Sequence, residues 1–431
     1  MHNQTAGSRT IWVLAFLTLP LWMLSFPETT VSHNLKPFFV YGSQAVSLVG
    51  FSLFALSFVL ATRFSWLEDY FGGLDRVYHF HHNIARISLI LLVIHPLLLV
   101  FRWIPEDTGR IFWYLFPVHR RFDINLGSWS LLGLILLMIM TLTIRLPYDK
   151  WKITHKFMGV FFILGVGHIF FLDLSFSENL PLTIYLSLLS LAGIAAWIYK
   201  TFLFDLLKHK LHYHVKKVDR LNEKVMEIEL SPVNGKAEYT PGQFYFFSFC
   251  DKNISRESHP YTICERTSKG TIRIMVKSLG DYTGKLYQVL KPGTESLLEG
   301  PYGRFNFRTG RTDQVWIAGG VGIAPFISWA NDLISDPRND LHADLYYCVN
   351  TRREATHLDV FDQLKENLPG FNLHLICSDE EGFLQPGKIP DLKERDIYIC
   401  GPRPMRKILL FSMRELKVPP ENILYEDFDF S

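Results

Sequence analysis

Six apolar runs, each long enough to cross a bilayer as a helix, crowd into the first half of this chain. They fall near residues 10–27, 42–62, 79–101, 126–144, 155–173 and 181–204. A hydrocarbon core about 30 Å thick takes roughly 20 helical residues, and within lipid a helix satisfies its own backbone hydrogen bonds. The first half is therefore expected to be a six-helix bundle whose even number of crossings returns the chain to its starting side. The first run, Ile11 to Phe26, is followed by Pro-Glu-Thr-Thr rather than a small-residue cleavage site, so it reads as a span and not as a removable leader.

The remainder is of a different kind. A hydrophobic share of 48% with 20% charged residues is high for one soluble globule, and the excess lies almost wholly before residue 205. A net charge of +2 without runs of like charge argues against a nucleic-acid partner. The five cysteines (Cys250, Cys264, Cys348, Cys377, Cys400) all follow the apolar half, with no CxxC pair or metal-ligand spacing, as in a reduced, cytosolic domain. From about residue 212 the alternating runs KVMEIELSP, GQFYFFSF, TIRIMVKSL and ESLLEGPYG suggest a small antiparallel barrel. After about 312, QVWIAGG, ADLYYCVN, NLHLICSD and DIYICGP alternate with helical stretches at 324–335 and 358–367, the rhythm of a parallel α/β sheet. The expected division is 1–205, 206–311 and 312–431.

Basic residues near the span ends set the orientation. Arg9, Arg63, Arg76, Arg145, Lys150, Lys152, Lys156 and the lysines between 208 and 217 fall on one side; Lys36, Arg102, Arg110, Arg120 and Arg121 fall on the other. The first side is expected to be the cytoplasm, holding both termini and the soluble half.

Histidines inside the spans ask for a reason, because burying ionisable groups in hydrocarbon is costly. His81 and His95 are 14 residues apart, about 21 Å along a helix and only about 40° apart in direction. His155 and His168 of the fifth span are 13 apart, about 20 Å, so the two pairs match in level. Such pairs on two helices can supply axial imidazoles to two stacked haems; single histidines more often cap helices or bond to nearby backbone. The 13-residue offset is about 140° away from a common face on an ideal helix, so a distortion is expected in the fifth span, with Gly165 and Gly167 as candidate positions. His82 is the alternative to His81, and His79 belongs at the interface. Phe161 and Phe162 are candidates to fill the space between the two levels, against ordinary packing.

Four motifs follow in the soluble half. HPYTIC (259–264) lies on an expected barrel strand, where Tyr261 can lay its edge on a flavin and Thr262 can hydrogen-bond to it. VKSLGDYTGKL (276–286) suits a loop around the flavin pyrophosphate, with Lys277, Gly280 and Thr283 as contacts. IAGGVGIAPFIS (317–328) runs from strand through glycines into a helix, an arrangement that offers backbone N–H groups to a phosphate. CGPRPM (400–405) places Cys400, Gly401 and Pro402 at the carboxyl end of another buried strand, where ligands of open α/β sheets bind. After a further strand, NTRRE offers Arg352 or Arg353 to a 2′-phosphate, which favours NADPH over NADH.

In this order the elements resemble the NADPH oxidase and ferric reductase superfamily, six-helix cytochromes fused to a ferredoxin-reductase-like dehydrogenase, and among these the short bacterial members. The resemblance implies two b-type haems, one held by His81 with His155 on the cytoplasmic side and one by His95 with His168 on the far side. It implies FAD at His259, Pro260, Tyr261 and Thr262, and the nicotinamide nucleotide at Gly319, Gly320 and Gly322, followed by Pro325. Cys400 would stand at the hydride-transfer centre, with an aromatic from YEDFDFS, Phe428 or Phe430, over the flavin.

The implied function is transfer of electrons from cytoplasmic NAD(P)H through FAD and two haems to a one-electron acceptor across a bacterial-type cytoplasmic membrane. Dioxygen, giving superoxide, is the first expectation. A ferric chelate is the alternative, since Leu99 stands where some oxidases of the family carry a further histidine. An electron-transfer component that feeds a partner protein is the second, although nothing in the sequence points to an obligatory partner.

Overall fold

A computed structural model describes residues 6–24, 36–104, 108–144, 148–171 and 179–426, and divides the chain into two compact units, with the chain passing from one to the other between Leu207 and Lys208. Phe428 and Phe430 lie outside the described residues.

Among the described residues the first unit holds six helices long and apolar enough to span a membrane: α1 (Ala6–Met23), α2 (Pro37–Leu60), α3 (Leu74–Phe101), α4 (Phe122–Leu142), α5 (Lys150–Phe171) and α6 (Leu180–Leu207). The most enclosed of them is α2, which packs against α1, α3 and α6, while α4 packs along α5. Lipid offers no hydrophobic drive for helix association, so close approach through small residues and interhelical hydrogen bonds takes its place. Ser88 of α3 donates to the Gly50 carbonyl of α2 at 2.8 Å, and Ser130 of α4 donates to the Phe161 carbonyl of α5 at 2.7 Å. Gly193 of α6 leaves room for the Phe162 ring, which stacks on Phe51 at 5.4 Å and meets Phe54 and Phe58 at 5.1 Å.

The fifth span is distorted, though not at its glycines. Its helix is interrupted at Phe157, where Phe157 N–H bonds to Thr154 O (3.1 Å) and Val160 N–H to Phe157 O (3.0 Å), both three residues back. A turn of this 3₁₀ kind winds about 120° per residue instead of about 100°, which advances His155 relative to His168. Gly165 and Gly167 lie within regular helix.

In the second unit, β1 (Leu211–Arg220), β2 (Val225–Asn234), β3 (Phe244–Cys250), β4 (His259–Arg266), β5 (Ile272–Lys277) and β6 (Glu295–Tyr302) close into an antiparallel barrel in the order β1-β2-β5-β4-β3-β6. Alternate residues, among them Val215, Ile228, Phe247, Ile263 and Ile274, fill its core. Next, β7 (Asp313–Gly319), β8 (His342–Val349), β9 (Phe371–Cys377), β10 (Asp396–Cys400) and β11 (Ile423–Tyr425) form a parallel sheet in the order β11-β10-β7-β8-β9. Helix α7 (Asp281–Val289) follows the barrel's fifth strand; α8 (Ala324–Ser335), α9 (Leu358–Asn367) and α10 (Arg403–Glu415) belong to the sheet. An aromatic layer joins barrel to sheet: Phe305 stacks on Trp329 at 4.8 Å, and the Trp329 indole donates to Pro241 O at 3.1 Å. The sheet's chain order reverses between β7 and β10, so its ligand crevice is expected outside their carboxyl ends.

Candidate functional site

In the membrane unit four of the span histidines form two facing pairs. His81 and His155 stand 6.4 Å apart between ring centroids, and His95 and His168 also 6.4 Å, with the rings crossed at 73° and 65°. His82 lies beside His81 at 5.8 Å. The hydrogen bonds fix the tautomers. His81 Nδ1 lies 2.9 Å from Ser57 O and His168 Nδ1 2.7 Å from Asp123 O; a carbonyl only accepts, so each Nδ1 carries the proton. His95 Nδ1 lies 3.1 Å from Ser43 O and 2.7 Å from Ser43 Oγ, whose hydroxyl donates onward to His95 O at 2.8 Å. Three rings thus keep Nε2 as a free base, the state in which a metal-ligating imidazole is held by its other nitrogen. His155 Nδ1 is buried without a hydrogen-bond partner among the described residues, and its ring stacks on Trp151 at 5.2 Å.

This arrangement fits haem. Two imidazoles bonded to one metal ion through Nε2, at about 2.0–2.1 Å each, have centroids a little over 6 Å apart. Gly127 fits it as well, since a Cβ there would stand 2.8 Å from the His168 ring. Phe161 packs against the buried cluster of Leu134, Leu137 and Met158, whereas Phe162 belongs to the aromatic cluster on α2.

In the second unit His259, Pro260 and Tyr261 begin β4, paired with Phe247, Phe246 and Tyr245 of β3. The Tyr261 hydroxyl is buried without a hydrogen-bond partner among the described residues, and burial pushes its pKa well up, so it stays a neutral donor. Such an orphaned phenol on the motif strand fits a flavin. Thr262 is buried. His259 stacks on Tyr282 at 4.0 Å and meets the Glu257 carboxylate at 3.1 Å; burial lowers its pKa against the opposing pull of Glu257. Gly280 precedes α7, and the Thr283 hydroxyl accepts from Leu279 N–H (3.0 Å) and Gly280 N–H (3.1 Å), so Thr283 orders the turn itself.

The remaining motifs converge at the switch point. A Cβ on Gly322 would lie 2.3 Å from Cys400 O, and one on Gly319 would meet Met405 Sδ at 2.5 Å and Pro402 at 2.9 Å. Gly401 lies directly against Gly319. Three of the four glycines are therefore required by the mutual packing of the two loops. Gly320 differs: its φ of +53° is left-handed, and the Lys277 ammonium lies 3.8 Å from where its Cβ would be. Pro325 starts α8 and is buried. Cys400 is buried at the end of β10; burial, reinforced by Glu426, holds it as a neutral thiol. Arg352 and Arg353 both lie exposed in a single turn of 3₁₀ helix after β8.

Sequence reasoning missed Ser43, Ser57, Asp123 and Glu257. The first three act across helix pairs whose register no linear spacing reveals; Glu257, two residues before His259, was open to notice.

These features define a class: a membrane-embedded oxidoreductase with flavin and nicotinamide domains. Residues 46–166 match the ferric reductase like transmembrane component, 210–306 an FAD-binding domain and 316–410 an oxidoreductase NAD-binding domain. Together they give the chain the architecture of the NADPH oxidase and ferric reductase superfamily, with its barrel and parallel sheet ferredoxin-reductase-like. Among curated proteins it is similar to the reductase component of propane 2-monooxygenase from Rhodococcus jostii, 25% identical over half of this chain and 62% of that one. It is also similar to one of the subunits of the Na(+)-translocating NADH-quinone reductase of Pseudomonas paraeruginosa, 30% identical over 32% of this chain and 38% of that one. The chain thus spans less than two thirds of either relative. A flavohemoglobin from Malassezia yamatoensis shares the fold at TM-score 0.54 and 14% identity, over 95% of this chain and 98% of that one.

Proposed function

We propose that this protein passes electrons from NAD(P)H through FAD and two haems to a one-electron acceptor on the opposite side of a membrane. The observation that carries the reading is the pair of matched His–His couples, each at 6.4 Å, in a chain that also holds flavin- and nicotinamide-binding domains. NAD(P)H delivers two electrons as a hydride, and the flavin and haems, when bound, hand them on singly. The chain's own residues would do the rest. His81 with His155 and His95 with His168 would hold the haems, and Ser57, Asp123 and Ser43 fix the tautomers of His81, His168 and His95. His259, Pro260, Tyr261 and Thr262 would line the flavin; Gly280 and Thr283 would shape the turn at its pyrophosphate. Lys277 and the left-handed Gly320 turn would receive nucleotide phosphate, while Gly319, Gly322, Pro325, Gly401 and Pro402 hold the crevice shut around it. Cys400, as a neutral thiol, would stand beside the hydride path.

The basic bias of the loops on one side supports a cytoplasmic dehydrogenase. Dioxygen, giving superoxide, is the first acceptor. A ferric chelate is the second reading, favoured by Arg102 on the far side, whose buried Nε has no hydrogen-bond partner among the described residues and suits an anion. Purified protein given NADPH tests both. Superoxide abolished by superoxide dismutase supports the first, anaerobic ferrous-chelate formation the second, and haems that reduce and then stall would favour an electron-transfer component that feeds a partner protein. Protein purified without haem absorbance would overturn the whole reading. Arg352→Ala should raise the KM for NADPH without changing that for NADH.

A further inference from the structure

Three of the four facing histidines are anchored through Nδ1, and His155 is not. Apart from the Trp151 ring stacked on it from the same helix, its place depends on the backbone that carries it, and that backbone is the irregular one. His155 sits two residues before the break at Phe157, the turn that offsets the unfavourable 13-residue spacing to His168.

A 3₁₀ turn inside an α-helix has a cost. Because Val160 N–H turns to Phe157 O, the Lys156 carbonyl leaves the helix ladder, and a carbonyl within the membrane needs another donor. Trp197 of α6 supplies it, its indole Nε1 donating to Lys156 O at 2.8 Å. The neighbouring residue makes this approach feasible: a Cβ on Gly159 would stand 2.2 Å from the indole ring, so only glycine lets the ring lie against the helix there. Phe202, within the π-helical turn Tyr199–Leu203, meets the indole edge-on at 5.7 Å. The acceptor and the glycine cradle both fall within four residues of His155, and the donor reaches them from α6.

We propose that Trp197 is a positioning residue for the haem pair His81–His155, holding the Phe157 turn and through it the direction of the His155 imidazole. The inference rests on the haem reading above. A tryptophan that merely filled space between α5 and α6 would be replaced by another aromatic ring without effect on the haem signal; one that holds this turn through its N–H would not.

The test uses the full-length protein in detergent, with both haems followed by electron paramagnetic resonance and by redox titration of their absorbance. The two signals are assigned by which one disappears in His155→Ala and which in His168→Ala. Trp197→Phe keeps the ring and removes the donor. The expected result is a shifted resonance and midpoint for the haem lost in His155→Ala, with the other unchanged. Gly159→Ala, whose Cβ would push the indole away from α5, should shift the same signal. No shift in either variant, or an equal change or loss of both signals, overturns the proposal. Wild-type protein without haem overturns the underlying reading and the proposal with it, and that outcome is recognised before any variant is made.

Discussion

The His95 and His168 rings face each other at the same 6.4 Å as His81 and His155, although one helix spaces its histidines by 14 residues and the other by 13. Equal separations from unequal spacings mean that the bundle is built to the pairs. His168→Ala should therefore remove one of two haems, while NADPH still reduces the flavin and the remaining haem and delivery to the far-side acceptor stops. Pyridine haemochrome analysis and stopped-flow absorbance check this; retention of both haems would refute the assignment of His168.

How the far pair is held gives a graded expectation. The Ser43 hydroxyl bridges His95 Nδ1 and His95 O, but the Ser43 carbonyl also lies within 3.1 Å of Nδ1. Loss of such outer partners costs about 10–100-fold in metal affinity. Ser43→Ala, with the carbonyl still in place, should sit near tenfold, read as faster haem loss from the far pair alone.

The spans, the barrel and the α/β sheet were legible because each is written in local periodicity. The helices at 324–335 and 358–367 appear at those positions as α8 and α9, and the glycine and CGP motifs do meet at one sheet crevice. What could not be read was tertiary. A count of residues showed that α5 must be distorted, but Gly165 and Gly167 proved regular, and the break came at Phe157, where the adjacent Lys156 carbonyl is satisfied by a distant donor on α6. The partners of His81, His95 and His168 are two backbone carbonyls and a serine, types that carry no sequence signal.

Burial lowers the His259 pKa below its ordinary 6.5. The folded state thus favours the neutral ring, and the unfolded chain takes up the proton first as pH falls. This contribution to stability is complete above about pH 6.5 and is lost as pH falls through the folded value. Thermal release of flavin, followed by its fluorescence, should occur at progressively lower temperature below about pH 6.5. His259→Gln should flatten that part of the profile; an unchanged slope in the variant would assign it to another group.

Lys277 reaches from the end of β5 to the Gly320 turn and has no carboxylate partner among the described residues. Hydrogen bonds to charged groups contribute roughly 1.5–3 kcal/mol, so Lys277→Ala should raise the KM for NAD(P)H by about 10–100-fold, with Lys277→Arg close to wild type. Loss of FAD at unchanged KM would move the lysine to the flavin pyrophosphate instead.

Two glycines singled out in the sequence should behave in opposite ways. A Cβ on Gly322 would be 2.3 Å from the Cys400 carbonyl, a backbone atom that cannot turn aside, whereas one on Gly280 meets nothing within 4 Å and its φ of −143° is open to any residue. Overpacking of this kind costs typically 1–3 kcal/mol, and here it pushes β7's turn away from β10 at the crevice itself. Gly322→Ala should therefore lower the Tm and raise the KM for NAD(P)H together. Gly280→Ala should change stability by less than about 0.5 kcal/mol and leave the KM unchanged. If Gly280→Ala instead lost FAD, the room left at that position would be occupied by the cofactor, and the glycine would be needed for the ligand rather than for the fold.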